Sequence, residues 1–152
     1  MQYHTAMALH YRLYVLAAPL VMAAFALIPS SSIAQQVIVN PSLGISQLDL
    51  PTLRAIFGMR MLEWPNGTRV IPFVMDPSSS VHTRFAKEVL QVFPYQLQQA
   101  WDRLVFSGTG QAPLVVSSPA EMRRRVGQTP GGIGYVPDEY ASDSVFPVEV
   151  VE

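Results

Sequence analysis

The chain has 152 residues, ten of them basic and eleven acidic, which gives a formal net charge of −1. A chain of this length suits one domain, and the lack of a basic excess argues against a nucleic-acid partner. Cysteine is absent, which excludes a disulfide framework, thiol catalysis, thiolate metal sites and lipid attachment through an N-terminal cysteine.

The first 34 residues follow the three-part pattern of a secretory signal peptide. Arg12 precedes an apolar run over residues 13–28, and small residues end the segment at Ala34. We therefore predict a signal peptide over residues 1–34, cleavage before Gln35, and a periplasmic domain over residues 35–152. An uncleaved N-terminal anchor is the alternative, but a run of 16 residues that contains Pro19 is short for a bilayer span.

The remaining residues show strand patterns and helix patterns in alternation. A short β-branched strand at residues 37–40 precedes a predicted helix at 46–57, which Ser46 or Asp49 can cap and which Gly58 ends. The Asn-Gly pair within residues 64–67 predicts a tight turn. A second strand, at residues 69–74, contains Pro72, which predicts either a sheet edge or a strand end.

Three further helices are predicted, at residues 78–92, 94–104 and 118–126. The apolar stripe of the first comprises Val81, Phe85, Val89 and Val92. The last begins with Ser118 and Glu121 in the spacing of a capping box. Short strands at residues 114–116, 133–136 and 145–151 complete the pattern. Strands that alternate with helices indicate an α/β fold in which helices pack on a small sheet.

The sequence Gln-Thr-Pro-Gly-Gly-Ile-Gly-Tyr-Val at residues 128–136 places three glycines within four residues after a proline. This pattern predicts a tight turn that leads into a strand, where backbone without Cβ atoms can approach another group closely. Taken alone, it also fits a plain loop-to-strand junction.

Three other segments precede this one. They are Leu-Arg-Ala-Ile-Phe-Gly at residues 53–58, Trp-Pro-Asn-Gly-Thr at 64–68 and Trp-Asp-Arg-Leu-Val-Phe-Ser-Gly at 101–108. In this order and spacing, the four segments resemble the second domain of the phosphate-binding proteins that serve ABC importers, over roughly residues 37–140. The resemblance implies a single periplasmic-binding-protein-like domain with a small mixed sheet. It also implies a substrate-binding role in transport, with phosphate or a related oxyanion as ligand.

The best candidate for a ligand site is Asp-Pro-Ser-Ser-Ser at residues 76–80, between a predicted strand and a predicted helix. Free backbone N–H groups and the positive end of the helix dipole make a helix start attractive to anions, and serine hydroxyls add donors. Ser78, Ser79 and Ser80 are therefore the candidate anion-binding residues. Ordinary helix capping by one of these serines is the alternative.

In the similar phosphate-binding proteins this segment reads Arg-Ser-Asp/Glu-Gly-Ser-Gly-Thr, followed after three residues by Phe. With Phe85 as the anchor, the arginine of that motif falls at Met75 and its threonine at Val81. Its second serine falls at Ser79, the only side-chain donor that is kept in register, and its last glycine falls at Ser80. Loss of the bidentate guanidinium predicts weak binding. Resemblance to one domain points the same way, because the relatives enclose phosphate between two.

Two functions remain open on this basis. The first is a periplasmic solute-binding-like protein that recognises phosphate or a related oxyanion weakly for ABC-type import. The second is a non-catalytic interaction module that has lost anion binding and docks on a periplasmic or membrane protein. The oligomeric state is left open as well.

No residue of the predicted mature domain is a strong candidate for catalysis. His82 is its only histidine, so a histidine-rich metal site is excluded in a monomer, and we expect His82 to be exposed in the first turn of its helix. A serine nucleophile activated by His82 is the alternative, but no glycine-bounded nucleophile elbow surrounds the nearby serines. We expect no enzymatic activity, no metal and no cofactor.

Arg123, Arg124 and Arg125 form the only charge run. Three consecutive residues spread over most of a helical turn, so we expect a solvated face near a helix C-terminus, with contact to an acidic partner as the alternative. Trp64 and Trp101 are expected to pack in or beside the core rather than stack on a ligand.

Overall fold

The computed structural model describes residues 34–140 and 144–152. The predicted signal peptide, except for Ala34, therefore lies outside the described residues. Within the described ranges, no helix combines the length and apolar character that crossing a membrane requires.

The described residues form six strands and four α-helices, joined by turns. The strands are β1 (Gln35–Val39), β2 (Gln47–Asp49), β3 (Ile71–Met75), β4 (Leu114–Val116), β5 (Gly132–Pro137) and β6 (Phe146–Val151). The helices are α1 (Leu50–Phe57), α2 (Ser80–Arg84), α3 (Pro94–Phe106) and α4 (Pro119–Gln128). A π-helical turn, Phe85–Val89, continues α2, and 3-10 turns lie at Pro41–Leu43 and Asp138–Tyr140.

The six strands form one mixed sheet in the order β2-β6-β1-β5-β3-β4. β1 lies antiparallel between β5 and β6, whereas β3 lies parallel between β5 and β4, and β2 is parallel to β6. All of β5 and the last three residues of β1 are buried, so these strands form the centre of the core. Helix α4 packs on β5, where a Cβ added to Gly134 would overlap Met122. The predicted mixed α/β fold is confirmed.

The helix predicted at residues 46–57 is correct only from Leu50 onward. Residues 47–49 pair with β6 as strand β2, which is too short to show a clear alternation of apolar residues. Asp49 then caps α1, because its Oδ1 accepts from the Thr52 N–H at 2.7 Å.

The start of α4 matches its prediction with one difference. Ser118 caps the helix and accepts from the Glu121 N–H at 3.2 Å. The Glu121 carboxylate, however, accepts from the backbone N–H and hydroxyl of Ser117, at 2.8 and 2.7 Å. The capping box thus closes one residue earlier than the sequence pattern predicts.

Two positions were open for Pro72, a sheet edge or a strand end. Pro72 lies at a strand end, and the sheet-edge alternative is wrong. β3 has neighbours on both sides, and its pairing with β4 begins only at Phe73. The N–H of Ile71 donates to Gly131 on the β5 side, so the nitrogen of Pro72 faces the β4 side. The missing N–H of proline therefore costs no ladder hydrogen bond.

The helix predicted at residues 78–92 is shorter in the structure, from Ser80 to Val89, and has a different buried face. The N–H of Leu90 donates to the C=O of Phe85 at 3.0 Å, a π-type bond that shifts the residues after it around the axis. The fully buried positions are His82, Phe85, Ala86 and Leu90. The predicted stripe residues Val81, Val89 and Val92 are only half-buried.

The glycines of residues 131–134 are explained by contacts within the chain. Gly131 has φ of +78°, and a Cβ there would overlap the carbonyl oxygen of Arg69. The Gly131 C=O also accepts from the indole N–H of Trp64 and from the N–H of Ile71, both at 3.0 Å. The close approach that the glycines predict therefore joins the start of β5 to the start of β3.

Both tryptophans pack in the core, as expected. Trp64 and Trp101 are 2% and 3% exposed, and the Trp101 indole donates to the C=O of Phe57 at 2.8 Å. The tight turn at residues 64–67 is also confirmed, because the N–H of Gly67 donates to the C=O of Trp64 at 2.8 Å.

Candidate anion-binding site

The three candidate serines lie at the junction between β3 and α2. Asp76 follows β3, and its Oδ1 accepts from the backbone N–H of Ser78 at 2.8 Å and from the Ser78 hydroxyl at 2.5 Å. The C=O of Asp76 accepts from the N–H of Ser79 at 2.9 Å. Asp76 therefore fixes the loop and occupies both hydrogen-bond donors of Ser78.

Ser79 and Ser80 form the start of α2. Ser79 is the N-cap, and its hydroxyl oxygen accepts from the N–H of His82 at 3.1 Å. The backbone N–H groups of Ser80 and Val81 have no partner within the helix, as at any helix start, and the Ser80 side chain is exposed. Capping does not prevent contact with an anion, because the hydroxyl of Ser79 keeps its proton for donation.

Asp76 sets the charge of this loop. Hydrogen bonds from the Ser78 hydroxyl and backbone N–H hold the pKa of the exposed Asp76 carboxyl below its usual value, so the group is ionised at neutral pH. A carboxylate thus already holds the two donors of Ser78 beside the helix start. Its charge opposes the approach of a second anion.

A buried polar cluster lies beneath the loop. The Nδ1 of His82 is 2.7 Å from the hydroxyl oxygen of Tyr135, which also accepts from the N–H of Met75 at 2.9 Å. The Tyr135 hydroxyl and Nδ1 of His82 share one hydrogen bond, and the tautomer of the imidazole decides which of the two donates. Nε2 is buried and has no hydrogen-bond partner within the described residues.

The exposed position expected for His82 is wrong, because its side chain is only 1% exposed. His82 lies three and four residues before the buried Phe85 and Ala86, a spacing that places all three on one helix face. That spacing was a usable signal in the sequence. Burial lowers the pKa of His82, and the Asp76 carboxylate opposes this shift. Nδ1 contacts Tyr135 and Nε2 has no hydrogen-bond partner among the described residues, so no described serine hydroxyl is hydrogen-bonded to the His82 ring.

The motif position that holds arginine in the similar proteins is a core position here. Met75 is 4% exposed and belongs to the hydrophobic core. Its side chain cannot contact a ligand at the loop surface. Within residues 34–140 and 144–152, no three His, Cys, Asp or Glu side chains lie close enough together to hold a metal ion.

The arginines of α4 each contact a different neighbour in the chain. Arg123 donates to the C=O of Tyr140 at 3.1 Å, and Arg124 donates to the Oε1 of Gln128 at 3.3 Å. The guanidinium of Arg125 lies 5.6 Å from the centre of the Phe73 ring. These separate directions agree with the expected spread of the run around the helix.

No protein-family model and no curated protein matches the sequence, but solved structures match the fold. An ABC-type phosphate transport receptor from Vibrio cholerae has a TM-score of 0.60 and 16% identity, over 76% of this chain and 45% of that one. PstS from Borrelia burgdorferi has a TM-score of 0.60 and 22% identity, over 77% and 47%. A candidate phosphate ABC transporter substrate-binding protein from Clostridium perfringens, solved with bound phosphate, has a TM-score of 0.61 and 17% identity, over 78% and 46%.

The chain has a periplasmic-binding-protein-like fold. The resemblance to phosphate-binding proteins that the sequence motifs indicated is thereby confirmed at the level of structure. The chain spans less than half the length of each of these structures, which agrees with the expectation of one domain-like half.

Proposed function

We propose that this protein is a periplasmic solute-binding-like protein that recognises phosphate or a related oxyanion weakly for an ABC-type import system. The observation that carries the proposal is the fold, because the structures that resemble it are described as phosphate transport or substrate-binding proteins. The proposal includes export by a signal peptide at residues 1–34, a ligand-binding domain at residues 35–152, and no enzymatic activity or cofactor.

Ser78, Ser79 and Ser80 are the proposed anion-binding residues. The free N–H groups of Ser80 and Val81 and the hydroxyls of Ser79 and Ser80 would donate to the anion. The N–H and hydroxyl of Ser78 would join them only if they left the Asp76 carboxylate.

The competition with Asp76 supports weak binding. A hydrogen bond to a charged group contributes about 1.5–3 kcal/mol, and the two donors of Ser78 already have such an acceptor. A site formed by one domain also leaves the ion in contact with water, where each attraction is screened. We therefore expect a dissociation constant on the order of 1 mM.

Thermal melts of the purified protein with about 10 mM phosphate, sulfate or molybdate at constant ionic strength test this proposal. A ligand with a dissociation constant of about 1 mM stabilises the native state by about 1.4 kcal/mol at that concentration, or roughly 5 °C in melting temperature. A shift specific to one anion is the expected result. The proposal would be contradicted if the melting temperature were the same with each of the three anions as without any of them.

Two substitutions locate the site. Asp76→Asn keeps an acceptor for Ser78 but removes the negative charge, so the anion-induced shift should increase. Ser79→Ala should reduce that shift, measured relative to the ligand-free variant. Asp49→Asn is the matched control, because Asp49 caps α1 with the same kind of hydrogen bond and should leave the shift unchanged.

A non-catalytic interaction module is the second candidate function. It is favoured by the Asp76 carboxylate, which already holds the donors of Ser78. It is also favoured by apolar side chains on the surface, among them Phe106 at 87% and Val115 at 57% exposure. In this case no anion would change the melting temperature, and a periplasmic or membrane partner would co-purify with the protein. Phe106→Ser should then abolish co-purification without lowering the melting temperature.

A further inference from the structure

A pocket lies at the far end of the α2 helical segment from the three serines. Its volume is about 450 Å³, and residues at the C-terminal end of α1, along the whole of α3 and after the π turn line it. With a rise of roughly 1.5 Å per residue, the end of this segment at Leu90 is roughly 15 Å from Ser79. The pocket and the proposed anion site are therefore separate.

Three arginines line this pocket, and none of the lining residues is acidic. Arg54 is held in place, because its Nε donates to the C=O of Leu90 at 2.7 Å and its Nη2 to Gln91 Oε1 at 3.4 Å. Arg60 and Arg103 are exposed, and no hydrogen bond or ion pair with another described residue engages their guanidinium groups. Two planar cations thus face the pocket without a counter-ion in the described part of the chain.

The backbone at the pocket rim holds Arg60 in position. Met59 (φ 57°) and Gln91 (φ 53°) are the non-glycine residues of the described chain with left-handed backbone, at helix ends where glycine is the usual residue. The N–H of Arg60 donates to the C=O of Ala55 at 2.8 Å, which closes the end of α1. Its side chain lies over Gly58, where a Cβ would be 3.4 Å from the Arg60 Nε.

Helix dipoles balance only part of the positive charge. Each helix C-terminus carries about half a negative charge and each N-terminus about half a positive charge. Helix α3 lines the pocket with both of its ends, so the ends of α1 and of the α2 segment supply about −1 against three guanidinium groups. The predicted mature domain has an acidic excess, since Arg12 is the only one of the ten basic residues before Gln35 and all eleven acidic residues follow it. The positive charge is therefore a local property of this pocket.

The remaining wall of the pocket is largely apolar and includes Val92, Leu97 and Leu104. A volume of about 450 Å³ is in the range of small-molecule sites and exceeds what an inorganic oxyanion fills. We propose that this pocket binds a small organic anion. Arg60 and Arg103 hold its phosphate or carboxylate head, because guanidinium pairs with such groups in bidentate fashion. Its apolar body lies against Leu97 and Leu104.

A titration of the purified protein with 1-naphthyl phosphate tests this site. The expected dissociation constant is about 1 mM or lower, and the amide resonances of Gly58 and Ser107 should shift in ¹H–¹⁵N spectra. At these pocket resonances, the uncharged 1-naphthol and inorganic phosphate should each bind at least about tenfold more weakly, because each lacks one half of the recognition. The double variant Arg60→Gln/Arg103→Gln should weaken binding by roughly ten- to a hundredfold.

Two control variants separate this pocket from the rest of the surface. Arg69→Gln removes an exposed arginine outside the pocket and should leave the naphthyl phosphate affinity unchanged. Ser79→Ala should also leave it unchanged, since the pocket uses none of the three serines. An equal affinity in the double variant, or equal binding of naphthol, overturns the inference. A failure to bind inorganic phosphate at the serines would instead count only against the proposed function.

Discussion

Replacement of Tyr135 by phenylalanine should destabilise the protein by about 2–4 kcal/mol. The hydroxyl accepts from the N–H of Met75 at 2.9 Å and shares a hydrogen bond with Nδ1 of His82 at 2.7 Å. Its removal leaves two buried polar groups without a partner, and each such group costs about 1–3 kcal/mol. The ring itself stays in place, because its stacking on Phe85, with 3.7 Å between ring centroids, does not involve the oxygen.

Equilibrium unfolding in urea, followed by circular dichroism, measures this change. The midpoint should fall at an unchanged slope, since the surface exposed on unfolding is the same. Tyr95→Phe is the matched control, because Tyr95 is 59% exposed and loss of its hydroxyl should cost less than about 0.5 kcal/mol. A loss below about 1 kcal/mol for Tyr135→Phe would refute the reasoning, since it would mean that another group or a water satisfies Met75 and His82.

Three further predictions concern stability. Burial lowers the pKa of His82. At a pH just below the ordinary histidine pKa of about 6.5, the unfolded chain therefore binds more protons than the folded chain. Melting temperatures should therefore be constant above that pH and fall as the pH decreases through the window below it, whereas His82→Asn should remove this dependence. Gly131→Ala should cost about 3 kcal/mol or more in urea unfolding, because a Cβ meets the Arg69 carbonyl oxygen. Gly44→Ala, with φ of +62° but nothing within 4 Å, should cost only about 1–2 kcal/mol. Loss of the N-cap hydrogen bond in Ser79→Ala should lower stability by about 1 kcal/mol without any ligand.

Local sequence signals predicted most of the fold because they depend on neighbouring residues. The caps at Asp49 and Ser118, the turn before Gly67 and the strand at residues 114–116 follow from short-range chemistry that survives in the folded chain. The errors arise where distant pairing decides. β2 is a strand only because β6 lies beside it, and β3 is internal because β4 pairs with it from the far side.

The candidate site was less predictable than the fold. The sequence correctly placed the serines between a strand and a helix, but it could not show that Asp76 turns back on Ser78 or that Met75 faces the core. The pocket of Arg54, Arg60 and Arg103 was missed entirely, because its arginines come from segments almost 50 residues apart in sequence. Helix periodicity alone cannot bring such residues together.

Each end of the α2 helical segment has a side chain of opposite charge beside it, but only the far end has further charges nearby. At the start, the positive end of the helix already has a carboxylate beside it, Asp76, so one internal group serves both the dipole and the donors of Ser78. At the far end, Arg54 supplies a complementary cation to the Leu90 carbonyl. Arg60 and Arg103 then add charge that the fold does not need. Two guanidinium groups beside an apolar wall can hold an anionic head in bidentate fashion, which makes the arginine pocket better suited than the serine loop to an anion from solution.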